Sequence, residues 1–303
     1  MPSVGNGLAG ASMLAPGVKT TYAAPMRLLA LLLATLILCG CASTALADPV
    51  IHVSPYLAIY ELRGKSGMQS VTGGGPGGTS PILQNNATQA MRRFGQDRSR
   101  DDVGIRADIG DGFGGIRAEY YRLDMNTTRS GTLEEDWGQL RAGDEVNIYA
   151  EMDELRVGFI EPLSEVLTEY RDDELRLKFG AGGLFATRQM SLHGKESSNT
   201  RTQNLEINGD LIYLALRAQA TWRDFSFDVD YAIAPELLAL SGDFEDLTHD
   251  FEARISYQMP QRDMTIFAGV RYSEFAASGT TDGYGYKSDL TIDGFQLGVS
   301  ATF

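Results

Sequence analysis

The sequence predicts an all-β protein, a transmembrane antiparallel up-and-down β-barrel of about ten strands. Three observations carry that prediction. Apolar residues recur with period two from Asp48 onward, the spacing of strands with one apolar face. Connections between these alternating segments are by turns short and long. The last segment sets Phe295, Leu297, Val299, Ala301 and Phe303 against Gln296, Gly298, Ser300 and Thr302, so its apolar face closes on an aromatic residue.

Composition removes other classes. The 303 residues carry 26 Lys+Arg against 40 Asp+Glu, a formal charge of −14. Nucleic-acid binding needs a basic footprint, and this chain has the opposite. After the N-terminal region no apolar run approaches the roughly 20 residues of a membrane helix, which excludes a polytopic helical protein.

The N-terminus reads as an address. Residues 26–47 place one Arg before an apolar run from Leu28 to Leu38 and then small residues ending Ala45-Leu46-Ala47. That is the order of a cleaved signal peptide, with too short an apolar core to span a bilayer. The expected organisation is a signal region over 1–47, with Met26 as the expected start, and a barrel over 48–303. Both cysteines, Cys39 and Cys41, fall in the signal region, so the mature chain is expected to lack thiol chemistry. Leu38-Cys39-Gly40-Cys41 also resembles a lipobox, although Cys39 stands where that family has a smaller residue; lipidation of Cys41 is the alternative.

Ten segments follow: 50–62, 101–110, 113–126, 146–160, 175–190, 211–223, 225–233, 248–259, 264–276 and 290–303. The clearest alternates Ile212, Leu214, Leu216, Ala218, Ala220 and Trp222 with Tyr213, Ala215, Arg217, Gln219 and Thr221. Gly110-Asp111-Gly112, Arg223-Asp224 and 260–263 read as tight turns, whereas 63–100, 127–145, 191–210, 234–247 and 277–289 read as long polar loops. Segment 161–174 breaks the alternation as a longer link where a short turn belongs, and a helical turn is expected in it. The period slips near Tyr120-Tyr121, Asp153-Glu154 and Asp293-Gly294, which reads as three bulges.

The terminal run resembles the last strand of the bacterial outer-membrane β-barrel superfamily, whose members typically end in an aromatic residue read by the insertion machinery. The resemblance covers the whole mature chain as a general architecture. It implies a small monomeric barrel in the outer membrane with both termini periplasmic and Phe303 as the insertion signal. On that orientation Phe159, Trp222, Phe227, Tyr257 and Phe303 fall near the periplasmic interface, with Tyr231 and Tyr272 near the outer one.

If the apolar faces meet lipid, the opposite faces line the lumen. They bring Arg106, Arg117, Arg176, Lys178, Arg217, Arg254 and Arg271 together with Asp108, Glu119, Glu151, Asp228, Asp230 and Glu252. A ten-stranded lumen is only slightly wider than one that side chains fill, so these charges are expected to pair as a plug. The predicted function is therefore a closed or narrow-lumen structural or surface-interaction barrel. A small-solute or ion channel is the first alternative. Surplus acid belongs in loops such as Glu134-Glu135-Asp136 and Asp172-Asp173-Glu174, where divalent cations could bridge carboxylates to lipopolysaccharide phosphates.

A hydrolase at the barrel rim is the second alternative. His249-Asp250 lies where an omptin-like protease would place a His-Asp pair, but adjacent strand residues point to opposite faces. His52 has no acid beside it, and His193 opens a loop. No cofactor or metal site is expected, and the glycine-rich run 73–78 lacks the lysine and helix of a phosphate cradle.

Overall fold

The computed structural model describes residues 50–72, 81–96, 100–125, 129–198, 200–260 and 262–303. The signal region, both cysteines and the whole glycine-rich run lie outside them. Ten long strands form the body: β1 Val50–Met68, β2 Arg100–Gly110, β3 Gly115–Asp124, β4 Glu145–Tyr170, β5 Asp173–Glu196, β6 Thr202–Trp222, β7 Phe225–Ala234, β8 Phe244–Gln258, β9 Met264–Thr281 and β10 Tyr284–Thr302. Each pairs antiparallel with its sequence neighbour, and β10 pairs with β1, so the sheet closes without an open seam.

The register fixes the dimensions. A line of directly opposed residues runs Ile51, Ile109, Ile116, Phe159, Gly183, Leu214, Ile233, His249, Glu274, Thr291 and returns to the first strand at Arg63. The return is displaced by 12 residues, which is the shear. Ten strands at that shear tilt by about 40° and give a backbone radius of about 10 Å, which long side chains from opposite walls can fill.

In the half nearer the termini the wall follows the expected rule. Leu155, Val157, Leu214, Leu216, Phe295 and Leu297 point outward and are exposed, while Glu154, Arg156, Arg217 and Gln296 point inward and are buried. In the far half the rule inverts on the same unbroken strands. Along β4 the inward residues become Met152, Ala150, Ile148 and Val146, and the outward ones Asp153, Glu151, Asn147 and Glu145. On β10 Ile292 and Leu290 turn inward while Asp293 and Asp289 turn outward. On β6 Leu211, Ile207 and Leu205 are inward and Asn208, Glu206 and Asn204 outward. An apolar outer face over a charged interior gives way to a polar outer face over an apolar core.

This inversion corrects the bulge reading. The ladders are continuous through Tyr120-Tyr121, Asp153-Glu154 and Asp293-Gly294, and the geometric alternation never slips there. What changes is which face carries the apolar side chains. Register shifts occur instead between Pro162 and Ser164, between Glu245 and His249, and between Asp210 and Leu211 where the short strand Ala239–Gly242 pairs.

Three further expectations are corrected. Segment 161–174 is strand on both sides of a two-residue turn at Arg171-Asp172, both with φ near +60° (54° and 67°). That is the two-residue hairpin turn usually signalled by Asn-Gly or Asp-Gly, here without glycine. The loops at 191–210 and 277–289 are mostly strand, the second closed by Asp282-Gly283. The third strand starts at Gly115, because Phe113 belongs to a turn that folds into the barrel.

The far-half core is completed from loops. Trp137 and Leu140, joined by a backbone bridge, drop into the barrel with Met91 and Phe94 of a short 3-10 turn, all fully buried. Trp137 packs edge-on against Phe94 at 5.2 Å and donates its indole N–H to Ser66 at 3.2 Å.

Candidate functional site

The inward positions of the near half form one charged layer, and the register builds it. Opposed on neighbouring strands stand Arg106 and Glu119, Asp108 and Arg117, Glu119 and Arg156, Glu154 and Arg188, Arg217 and Asp230, Asp228 and Arg254, and Glu252 and Arg271. Directly opposed opposite charges on one sheet face attract, so the pairing supports the register as well as the lumen.

Contacts across the lumen then tie the walls together. Arg106 places one guanidinium between Glu119, at 2.8 Å, and Glu252 on β8, at 2.6 Å, all three side chains nearly fully buried. Arg117 binds Asp108 at 2.6 Å and reaches Asp230 at 3.0 Å, which also accepts from Arg217 at 2.6 Å. Higher in the layer Glu154 receives Arg156 and Arg188, Arg156 reaches Asp250 at 2.7 Å, and Arg271 lies 3.4 Å from both Asp250 and Glu119. Arg254 is the loosest member, 3.8 Å from Asp228 and stacked over Phe267 at 5.1 Å. These pairs comprise seven arginines and seven carboxylates, so the layer is neutral although the chain is not. The arginine fork suits this task, because its donors can serve two carboxylates at once.

Tyrosines cap the layer on its far side. The Tyr56 hydroxyl donates to Glu119 at 2.9 Å and that of Tyr121 to Glu154 at 2.8 Å, with Arg271 over the Tyr121 ring at 4.6 Å. Tyr56 reaches Glu119 by lying over Gly104, where a Cβ would overlap its ring. On the near side Phe113 stops the mouth. The Asp111 carboxylate accepts from the backbone N–H of Phe113 and Gly114 at 2.9 and 2.6 Å, and the Phe113 carbonyl accepts from Arg217 at 2.7 Å. A cavity of about 40 Å³ between Arg106, Arg156, Arg217 and Glu252 has room for about one water molecule.

The structure thus gathers Arg106, Asp108, Arg117, Glu119, Arg217, Asp228, Asp230, Glu252, Arg254 and Arg271 on one interior layer. It places Glu151 elsewhere, on the outer face above the inversion, where it is exposed beside Arg122. Arg176 lies beyond the near mouth, exposed and paired with Glu165 and Glu174, and Lys178 sits at the mouth with Asp111. Sequence reasoning missed Glu154, Arg156 and Arg188. The supposed bulge hid the first two, although outward Leu155, Val157 and Phe159 already imply them. Arg188 stands among inward Ala186, Met190 and Leu192, a stripe that reads as lipid-facing.

The histidines do not converge. His249 is on the outer face, 2.9 Å from the Tyr231 hydroxyl, while Asp250 is inside with Arg156. His52 contacts Thr302 at 3.1 Å, and His193 contacts Asn204. Among the described residues no group of three or more His, Cys, Asp or Glu is placed to hold a metal ion.

No protein-family model matches the sequence, and no curated protein matches it. Solved structures resemble the architecture. The outer membrane protease OmpT from Escherichia coli aligns at 12% identity and a TM-score of 0.44, over 86% of this chain and 98% of that one. Ail, the attachment invasion locus protein of Yersinia pestis, aligns at 9% identity and 0.30, over 84% and 99%. The toluene transporter TodX of P. putida aligns at 8% identity and 0.28, over 89% and 92%.

Proposed function

We propose that this protein is a non-conducting outer-membrane barrel, a closed scaffold that holds its far half above the membrane as a surface for interaction. The observation that carries the reading is the neutral layer of crossed ion pairs inside the near half. Its arginines and carboxylates occupy one another, and Phe113 below and Trp137 above stop the two ends. Moving such charges apart to admit a solute strands them in a dry interior at several kcal/mol each. The exposed apolar band outside is the surface that hydrocarbon requires, since only closed barrels and helices satisfy their backbone within lipid.

On the same reading the end with the short turns and both termini faces the periplasm, as in bacterial barrels generally. The partners are outer-membrane lipid and lipopolysaccharide around the band, and the insertion machinery at Phe303, whose exposed ring ends the outer face of β10. A monomer suffices, because the ring closes on its own strands.

The test is single-channel recording in planar bilayers. The wild-type protein is expected to stay silent across a range of voltages. Steady current from correctly folded, heat-modifiable protein overturns the proposal. An Arg106→Ala/Arg271→Ala variant that folds should begin to conduct, and that gain would place the barrier in this layer.

A further inference from the structure

The near end carries one element that the barrel does not use for closure. The β3–β4 ladder ends at Gly115 opposite Ile160, yet β4 continues for ten residues, Glu161–Tyr170, paired only with β5. One edge of this hairpin therefore presents its backbone N–H and C=O groups to solvent. None of them hydrogen-bonds to another backbone segment among the described residues. Every residue from Pro162 to Tyr170 is exposed, including Leu163 at 67% and Leu167 at 58%.

We infer that this free edge of β4 is a docking site for an extended, basic segment of a partner protein, added to the sheet as a further strand. Open edges recruit strands by backbone pairing, and side chains then select among them. Here the selecting side chains are acidic. Segment 161–174 holds six carboxylates and one arginine. Arg176 serves Glu165 and Glu174, and Arg223 serves Asp173. Glu169 directly opposes Glu174, a like-charge pair across the hairpin. The Glu161 Oε2 atom is buried without a hydrogen-bond partner at the point where the ladder stops.

One arginine is shared by Glu165 and Glu174, so a cationic side chain arriving beside Glu161, Glu165 or Glu169 relieves a deficit that the hairpin itself leaves. A second copy of this chain does not fit, since it would bring the same acids against the same edge. Two copies in one membrane would also run these strands in the same direction. Alternation on the edge sets the pattern of the guest: Glu165, Leu167 and Glu169 share one face, and Val166, Thr168 and Tyr170 the other. The fitting segment alternates lysine or arginine with β-branched residues. The inference does not depend on which side of the membrane this end faces, nor on whether the lumen conducts.

The experiment uses the whole protein in detergent micelles and a ten-residue peptide alternating lysine and valine. Binding is read by fluorescence anisotropy and by amide hydrogen exchange. Saturable binding with exchange slowed over residues 163–170 is expected. Methylating alternate peptide nitrogens, in both phases, should weaken binding at least about tenfold in one phase, because pairing to the edge needs those donors. A Glu165→Lys/Glu169→Lys variant should prefer the glutamate–valine peptide. The inference is overturned by absence of binding, by protection elsewhere, or by binding that ignores both N-methylated series.

Discussion

Removing Arg106 is the sharpest perturbation of the interior. Its guanidinium holds Glu119 and Glu252 at 2.8 and 2.6 Å with 2% of its surface exposed. Arg106→Ala leaves two carboxylates facing each other across its vacated position, with Arg271 at 3.4 Å from Glu119 as the nearest remaining cation for that side. Breaking one partner of a buried pair typically costs about 3–5 kcal/mol, because the stranded charge keeps its desolvation penalty. For a chain of this size each kcal/mol moves the unfolding midpoint by about 2–4 °C, so a drop of roughly 6–20 °C is expected. The assay is the temperature at which the compact, heat-modifiable form disappears on a denaturing gel. Arg254→Ala should lose less, its carboxylate being 3.8 Å away, and Arg122→Ala on the exposed face should change little. The charge-balanced Arg106→Met/Glu252→Gln variant, which leaves Glu119 with Arg271, should recover most of the loss. A single Arg106→Ala variant melting within a degree or two of wild type would refute the reasoning.

Two further outcomes follow from the wall and the far loop. Leu216→Arg puts a charge in the exposed apolar band and should cost about 2–4 kcal/mol in a refolding titration into vesicles, whereas Glu206→Arg on the same strand above the inversion should stay within about 0.5 kcal/mol. In the far loop, burial pushes the Asp136 carboxyl up, but the Ala142 backbone N–H, at 2.9 Å, and the Arg141 guanidinium, at 2.7 Å, prevail and hold it below the ordinary aspartate range. A depressed folded value stabilises the loop above the unfolded value of about 3.9 and ceases to do so as pH falls through the folded one. Amide exchange over residues 131–144, corrected for intrinsic rates, should therefore accelerate below about pH 4. Asp136→Asn should show the faster exchange already at neutral pH, and unchanged exchange in both cases would dismiss the anchor.

Much of the near half was legible because a barrel wall writes its two faces in alternate residues. That Arg217 and Arg254 share the inner face with Asp228 and Asp230 follows from parity once the strands are assigned, and the register then opposes Arg217 to Asp230 and Arg254 to Asp228. The far half was illegible for a definite physical reason. Period-two reading assumes one polarity per face, and at Tyr121, Glu154 and Gly294 the apolar and polar sets exchange sides while the backbone continues unchanged. A slip in hydrophobicity is then indistinguishable from a slip in geometry until the partner strands are seen. Arg171-Asp172 was hidden differently, as a left-handed turn without glycine. Asp282-Gly283 carried the usual hairpin signal, lost because the flanking strands belong to the inverted half.

The inversion also pins the molecule vertically. On the proposed membrane reading, sinking the barrel by one residue pair would bring Asp153, Asp293 and Glu274 into hydrocarbon together. Were it to rise, Leu155, Phe295 and Tyr272 would be lifted into water. Strands β4, β6, β9 and β10 each supply a boundary mark, and small penalties per strand add around the ring. The strand number and the shear of 12 fix how far the strands tilt within the barrel, and so they fix the height of its apolar band along the barrel axis. On the proposed membrane reading, a bilayer of another thickness meets a band of fixed height, and the lipid adjusts to the protein.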